Sequence, residues 1–544
     1  MQQQFPEIDG RNYKKVLREL DISKYPSLPD YLKDIHLKLR RKQELTVSEE
    51  VLTKSKLITY FKDLKFEYNK FYFDKFDWNT VDHRKPKPFQ LDGIKFLTLN
   101  DRCILADDMG LGKSLQTVIA TKVQPEEFNI LIITLKSLKK NFANEIKFFD
   151  ERISIIDKKW EPNKYTIIHY DNIKKFQKEI LECRFEILIL DEAHKLKSNK
   201  SKRAEKFFDI LNETKKDLQK VWLLTGTPIA NRPIEYFNLL RIIKHPLSKN
   251  WQEYVVKYCN GFQDAIYNRW VVNGASNLLD LHNQTKSSVL RRLKKDVLKD
   301  LPDKMRVPLY LELENKKGYR KALKDFADKK YQLEGIKDTE LNEMTKIAVW
   351  RQFCALEKLN DGSLVELIEN EIDKGNKIIV FTNFTKVVDE IYKIFGSKIC
   401  RTLDGRTKDR QEVVDEFNAN ENLKVFVINI KIGAAGWNIQ SANSVIVNDL
   451  PWVPDDLVQC EDRAWRMGQN REVVIHFPLY AETIEEHMLE IILSKVKITT
   501  QVIDGVQKDF LDNDQINSDL KKIEEDSRLS LVQEIFKKIN MATV

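Results

Sequence analysis

The segment ILADDMGLGKS (Ile104–Ser114) carries two glycines, a lysine and a serine at a spacing suited to a triphosphate. Gly110 and Gly112 let the backbone turn tightly and aim N–H groups at phosphate oxygens. Lys113 can reach the β- and γ-phosphates, Ser114 can ligate Mg²⁺, and the start of the helical run LQTVIATK favours an anion. A strict phosphate-loop pattern has glycine where Asp107 stands. Farther along, FEILILDEAHK (Phe185–Lys195) ends an apolar run on two acids. Asp191 is expected to hold Mg²⁺ through water, and Glu192 to polarise an attacking water. Lys113 and Asp191 are 78 residues apart, and the two motifs together make a chance match of either far less credible.

Such groups need strand ends to hold them. From about 85 to 245, short apolar runs recur: RCILAD, NILIIT, YTIIHY, FEILILDE and VWLLTGT. Each is bounded by polar or turn residues, with helical patterns between, which predicts buried parallel strands and crossover helices. A second series, KIIVFT, KICRTLD, KVFVINI, SVIVNDL and VVIHFPL, runs from about 376 to 500. The expected fold class is therefore α/β, with two tandem units. The boundaries read as an N-terminal accessory region (1–80), a first unit (81–245), helical protrusions and a linker (246–375), a second unit (376–500) and a helical tail (501–544). Within the accessory region, KFEYNKFYFDKFDWN (Lys65–Asn79) alternates aromatics with charges, and this predicts a strand or a small β-unit.

Composition narrows the class. A chain of 544 residues is too long for one core, and its 42% hydrophobic content can fill several. No apolar run approaches the roughly 18 residues of a membrane span, and the N-terminal MQQQFPEIDGRNYKK lacks an apolar signal region. The six cysteines form no CxxC pair, so neither a zinc site nor a disulfide framework is expected, and a reducing intracellular compartment fits. The net charge of +8 permits a polyanionic partner without demanding one. Glycine is scarce, with 17 residues, and eight of them (Gly93, Gly110, Gly112, Gly226, Gly405, Gly433, Gly436, Gly468) fall in motif-like segments.

With these motifs in order, residues 86–500 resemble the Swi/Snf family of helicase superfamily two. KPFQLDGIKFL (Lys87–Leu97) is similar to its adenine-side motif, with Gln90 as base contact, and Asp107 is itself the family's usual form of the phosphate loop. The resemblance implies ATP contacts from Asp108, Met109, Gly110, Leu111, Gly112, Lys113 and Ser114. LIITLKSLKKNFANEIKFF (Leu131–Phe149) resembles a motif that touches the DNA backbone, with Phe142 where tryptophan is common. His194 reads as a contact between the nucleotide and DNA sites rather than a metal ligand. LLTGTPIANRPIEYFNLLRII (Leu223–Ile243) resembles the element coupling hydrolysis to DNA through Thr225, Gly226 and Thr227. VLRRLKKDVLKDLPDK (Val289–Lys304) resembles the family's inter-lobe linker.

The second half agrees. KIIVFTNF (Lys377–Phe384) and RTLDGRTKDRQEVVDEFN (Arg401–Asn418) resemble its opening motifs. INIKIGAAGWNIQSANSVIVND (Ile428–Asp449) resembles a DNA-contacting motif, which implies roles for Gly433 and Asn438. Ala434 and Trp437 depart from its usual glycine and leucine, and Trp437 is expected to pack between the lobes. PWVPDDLVQCEDRAWRMGQN (Pro451–Asn470) resembles the last motif, with Gln459 in coupling and Arg463 and Arg466 reaching the γ-phosphate. The resemblance implies two RecA-like phosphate-loop lobes with helical insertions, catalysis by Lys113, Asp191, Glu192, Arg463 and Arg466, and ATP with Mg²⁺ held by Ser114 and Asp191. It implies movement on double-stranded or branched DNA, with residues 1–80 or 501–544 open to protein partners and no membrane association. A strand-separating helicase and a binding module with a dead ATPase are the competing readings.

Overall fold

The structure is a computed structural model that describes Pro6, Ile8 and residues 11–136, 138–197, 202–213, 218–229, 232–264, 268–272, 274–327, 343–433 and 437–503. Ala434, Gly436 and residues 504–544 of the expected tail lie outside the described residues. The chain divides into two units, one of residues 1–101 and 115–128, the other of residues 102–114 and 129–544.

In the first unit the aromatic stretch is helical, which corrects the strand expected over Lys65–Asn79. One helix runs Val47–Lys75 and is followed by a 3₁₀ segment, Trp78–Arg84. A capping box starts it: the Thr46 hydroxyl accepts from the Glu49 amide, and the Glu49 side chain accepts from Thr46. Thr53, Leu57, Phe61 and Asn69 are buried at multiples of four, the stripe of a helix rather than the alternation of a strand. The aromatics fit the same period, since Tyr68 and Tyr72 pack edge to face at 5.0 Å. Tyr13, Leu17, Leu32 and Ile35, from helices Tyr13–Glu19 and Asp30–Arg40, complete the small core with Leu57 and Phe61. Helix Pro88–Leu99 belongs to this unit.

The second unit contains two parallel sheets. The first is built from β1 (Arg102–Leu105), β2 (Ile130–Thr134), β3 (Ile153–Ile155), β4 (Tyr165–His169), β5 (Ile187–Asp191) and β6 (Lys220–Leu224). An antiparallel hairpin follows, β7 (Phe262–Asp264) with β8 (Arg269–Val271). Then come β9 (Val289–Leu290) and β10 (Lys304–Leu311), and finally β11 (Ile378–Thr382), β12 (Cys400–Leu403), β13 (Val425–Asn429), β14 (Ser444–Val447) and β15 (Val473–Tyr480). The strand orders are β3-β4-β2-β5-β6-β1-β9 and β10-β15-β14-β11-β13-β12. All ten apolar runs form strands. The central ones (β2, β5, β6, β11, β13) are buried along their whole length, because helices cover both faces of a parallel sheet. The fold is α/β, two RecA-like lobes in tandem.

The stretch expected to be helical between the lobes supplies a strand to each sheet. β9 pairs with β1, and β10 pairs with β15 over eight residues. Pro308 within β10 is tolerated because β10 lies at the sheet edge, where a missing N–H breaks no ladder on the open side. Trp437 is also corrected. It is buried in the second lobe's own core, and its Nε1 donates to the Ile432 carbonyl at 3.3 Å. All six cysteines are free thiols.

Candidate nucleotide site

β1 ends at the phosphate loop, and helix Lys113–Val123 leaves it. Gly110 and Gly112 have φ of +79° and +75°, a left-handed backbone that side chains resist. The Lys113 ammonium is folded into the loop, donating to the carbonyls of Asp107 (2.7 Å) and Asp108 (3.3 Å). Gly226 brings the Thr-Gly-Thr element close, for a Cβ there would lie 3.0 Å from Met109 Cγ and 3.7 Å from Lys113 Nζ.

The two acids stand at the end of β5. Asp191 Oδ2 accepts from the Thr134 hydroxyl at 2.7 Å, a support from β2 that the sequence does not advertise. Burial, then the charge of Glu192, pushes the Asp191 carboxyl above the ordinary carboxylate range. Burial opposes ionisation of Glu192 as well, but contact with His194 and the charge of Lys113 hold it below that range. Glu192 adopts φ 51°, ψ 48°, a left-handed conformation that costs a non-glycine residue of the order of 1–3 kcal/mol. Its Oε2 is 3.3 Å from His194 Nδ1 and makes no hydrogen bond of good geometry among the described residues. His194 Nδ1 also lies 3.3 Å from the Thr225 hydroxyl, so one imidazole links Glu192 to the Thr-Gly-Thr element.

Arg466 comes from the second lobe and lies over the loop. A Cβ on Gly110 would sit 3.2 Å from its Cγ. Burial lowers the pKa of Arg466, with Asp462 acting the other way. Arg463 faces inward instead, donating to the carbonyls of Gln459 (2.9 Å) and Trp437 (3.2 Å). Burial, then Arg466, brings its pKa down to about 10. The lobes also meet at Asp455, which accepts from the Thr227 hydroxyl at 2.5 Å and from Gln459 Nε2 at 3.4 Å. Asp455 was not singled out by any motif.

Gln90 is on helix Pro88–Leu99 in the first unit, buried, with Oε1 accepting from the Lys87 amide at 2.9 Å. Asn438 sits in the second lobe, its carbonyl accepting from Asn418. Gly433 is buried where a Cβ would come within 2.8 Å of the Phe381 ring. The Asp108 carboxylate turns to the linker, 2.7 Å from Arg291 Nη2. Burial works against its charge, but Arg291 and the Lys294 amide hold it low.

The linker and the arginine segment form one block. The Trp465 ring lies between the ammonium groups of Lys294 (4.8 Å) and Lys304 (4.5 Å), and its Nε1 donates to the Pro302 carbonyl. Glu461, fully buried, receives Lys304 at 2.7 Å and a two-pronged Arg306. Burial opposes its charge, yet the two cations bring its pKa down to about 2. Glu461→Gln is expected to destabilise the second lobe by about 3–5 kcal/mol, since two cations lose their buried counter-ion. A group with a depressed folded pKa stabilises fully above its unfolded value and loses that contribution as pH falls toward the folded one. Urea titrations should therefore show the gap between wild type and Glu461→Gln narrowing from pH 5 toward about pH 2.

Fold and site together define a phosphate-loop nucleotide-binding protein with two lobes. Residues 89–359 match the SNF2-related domain, and residues 361–468 match the helicase conserved C-terminal domain. The chain belongs to the Swi/Snf family. It is 29% identical over 429 residues to the SWI/SNF-related matrix-associated actin-dependent regulator of chromatin subfamily A-like protein 1 of Xenopus laevis, covering 76% of this chain and 44% of that protein. It is 27% identical over 440 residues to the human DNA annealing helicase and endonuclease ZRANB3, covering 77% and 40%. The chain thus spans about two-fifths of the length of these relatives. The Sulfolobus solfataricus SWI2/SNF2 ATPase core in complex with dsDNA is 23% identical, covering 78% of this chain and 94% of that one, with a TM-score of 0.37. Among the described residues no helix is long and apolar enough to cross a membrane, and no group of three or more His, Cys, Asp or Glu side chains is placed to hold a metal ion.

Proposed function

We propose that this chain hydrolyses ATP and couples the hydrolysis to movement along double-stranded or branched DNA. The observation that carries the reading is the convergence on one loop of Lys113, the Asp191–Glu192 pair, the Thr-Gly-Thr element and, from the other lobe, Arg466. The donor set fits a magnesium nucleotide: hard oxygen from Ser114 and Asp191, two left-handed glycines for the phosphates, and a buried Glu192 oxygen without a hydrogen bond. Magnesium held by Ser114 and Asp191 would draw charge from the phosphate oxygens. On this reading Lys113 binds the β/γ-phosphates, Glu192 orients the attacking water, and Arg463 and Arg466 stabilise the transferring phosphoryl group. Asp108, Met109, Gly110, Leu111 and Gly112 complete the ATP contacts. Thr225, Gly226, Thr227, Gly433, Asn438 and Gln459 transmit the state of the site to DNA. Asp455 and Thr227 are the bond through which one lobe senses the other.

Family membership makes duplex DNA the expected track, and relatives include a protein named as a DNA annealing helicase. Affinity should come mainly from phosphates and fall with salt. The test has two arms. Duplex or branched DNA should stimulate ATP hydrolysis more than RNA does. The chain should displace the third strand of a triplex yet leave a simple forked duplex paired. Efficient unwinding of the fork, or stimulation by RNA alone, would assign it to strand-separating helicases instead.

A further inference from the structure

We infer that Arg291, Arg292 and Lys294 form a strap that positions the phosphate loop at one end and Arg466 at the other. They are positioning residues for the proposed ATPase, and the inference rests on that reading.

The strap begins where β9 pairs with β1. Arg292 grips Asp107 with a two-pronged contact, Nε to Oδ1 at 2.9 Å and Nη2 to Oδ2. Arg291 reaches the other way. Its Nη1 donates to the carbonyls of Ala106 (2.7 Å) and Gly226 (2.8 Å), and its Nη2 meets Asp108. One guanidinium therefore holds both the start of the loop and the Thr-Gly-Thr element. The Asp108 amide donates to the Arg292 carbonyl, and the Lys294 amide donates to Asp108, so the backbones are tied as well. A planar fork matched to a carboxylate fixes orientation as well as distance. This accounts for the acid at position 107: Asp107 is fully buried, and both of its oxygens are turned to the linker.

The far end works differently. Lys294 is fully buried, and its ammonium donates to Asp462 (2.7 Å) and to the Trp465 carbonyl (2.8 Å). Asp462 is the acid that most favours the charged state of Arg466. With Lys294 on Asp462, the Arg466 side chain has no hydrogen-bond partner among the described residues, although it lies against Gly110. Lys294 thus pairs with Asp462 while its Cε, 3.4 Å from where a Cβ on Gly110 would lie, stands beside Arg466 at the loop.

The two ends predict different kinetic signatures. Arg292→Gln and Asp107→Gly loosen the loop and should each raise the Kd for a fluorescent ATP analogue about tenfold, the effect of losing a charge-assisted hydrogen bond. The double variant should bind within about twofold of the weaker single, because both remove one contact. Arg292→Lys keeps the charge and loses the fork, so it should not restore affinity. Asp107→Asn replaces Asp107→Gly should the glycine variant fail to fold. Lys294→Met should leave that Kd within about twofold of wild type while lowering DNA-stimulated kcat about tenfold. Additive losses in the double variant, or Lys294→Met acting on Kd rather than kcat, would overturn the strap. Failure of wild type itself to bind or hydrolyse ATP would overturn the proposed function, a distinct result.

Discussion

Lys113→Ala should reduce ATP turnover to less than about 10⁻³ of wild type while binding to duplex DNA persists. On the proposed reading the lysine brings a full positive charge to oxygens that gain negative charge as the phosphoryl group transfers. No second lysine within the loop can replace it, because the segment Asp107–Ser114 contains only this one. In the structure the ammonium rests on the carbonyls of Asp107 and Asp108, and its charge also favours the ionised forms of the buried Asp191 and Glu192. On the proposed reading DNA affinity comes mainly from phosphate contacts and should keep its salt dependence. Near-normal turnover in this variant would remove the phosphate loop from the mechanism.

Much of this was legible in the sequence because it depends on local rules. Every central strand reads as an unbroken apolar run, since both faces are covered, and the loop announces itself through glycines that the backbone needs. The failures have a common physical origin. Lys65–Asn79 mixes aromatics with charges, and the helical stripe that buries Thr53, Leu57, Phe61 and Asn69 begins outside the segment. β9 is two residues long, and β10 is a half-exposed edge strand carrying a proline, so neither gives a continuous apolar signal. The supports of the site are less visible still. Thr134, Asp455 and Asp462 act through contacts with residues 57, 228 and 168 positions away. A signal for the strap did exist: the acid pair Asp107–Asp108 and the base pair Arg291–Arg292 are complementary dipeptides, each next to a strand of one sheet. Sequence alone could not say that they meet.

Glu192→Gln and Arg466→Ala test the chemical step from opposite lobes. Glu192 is held in a strained left-handed backbone at the end of β5, charged despite burial, with one oxygen lacking a hydrogen bond. Those features suit a carboxylate that accepts from a water rather than one that stabilises the fold. Glutamine has nearly the same shape and cannot carry the charge. On the proposed reading Arg466 supplies the complementary charge, and its aliphatic part lies against Gly110. Each variant should still bind a fluorescent ATP analogue with a Kd near that of wild type, since neither residue is needed to seat the triphosphate. Each should hydrolyse ATP at least about 10³-fold more slowly, as expected for loss of a group that acts on the transferring phosphoryl. Glu192→Gln acts within one lobe, so its defect should be equally deep with and without DNA. Arg466 depends on how the lobes meet, and Arg466→Ala should chiefly erase DNA stimulation. Single-turnover hydrolysis with saturating duplex and with none separates the two. If Glu192→Gln turned over near normally, the water would have to be oriented elsewhere; if Arg466→Ala kept full stimulation by DNA, its contact with Gly110 would be packing alone.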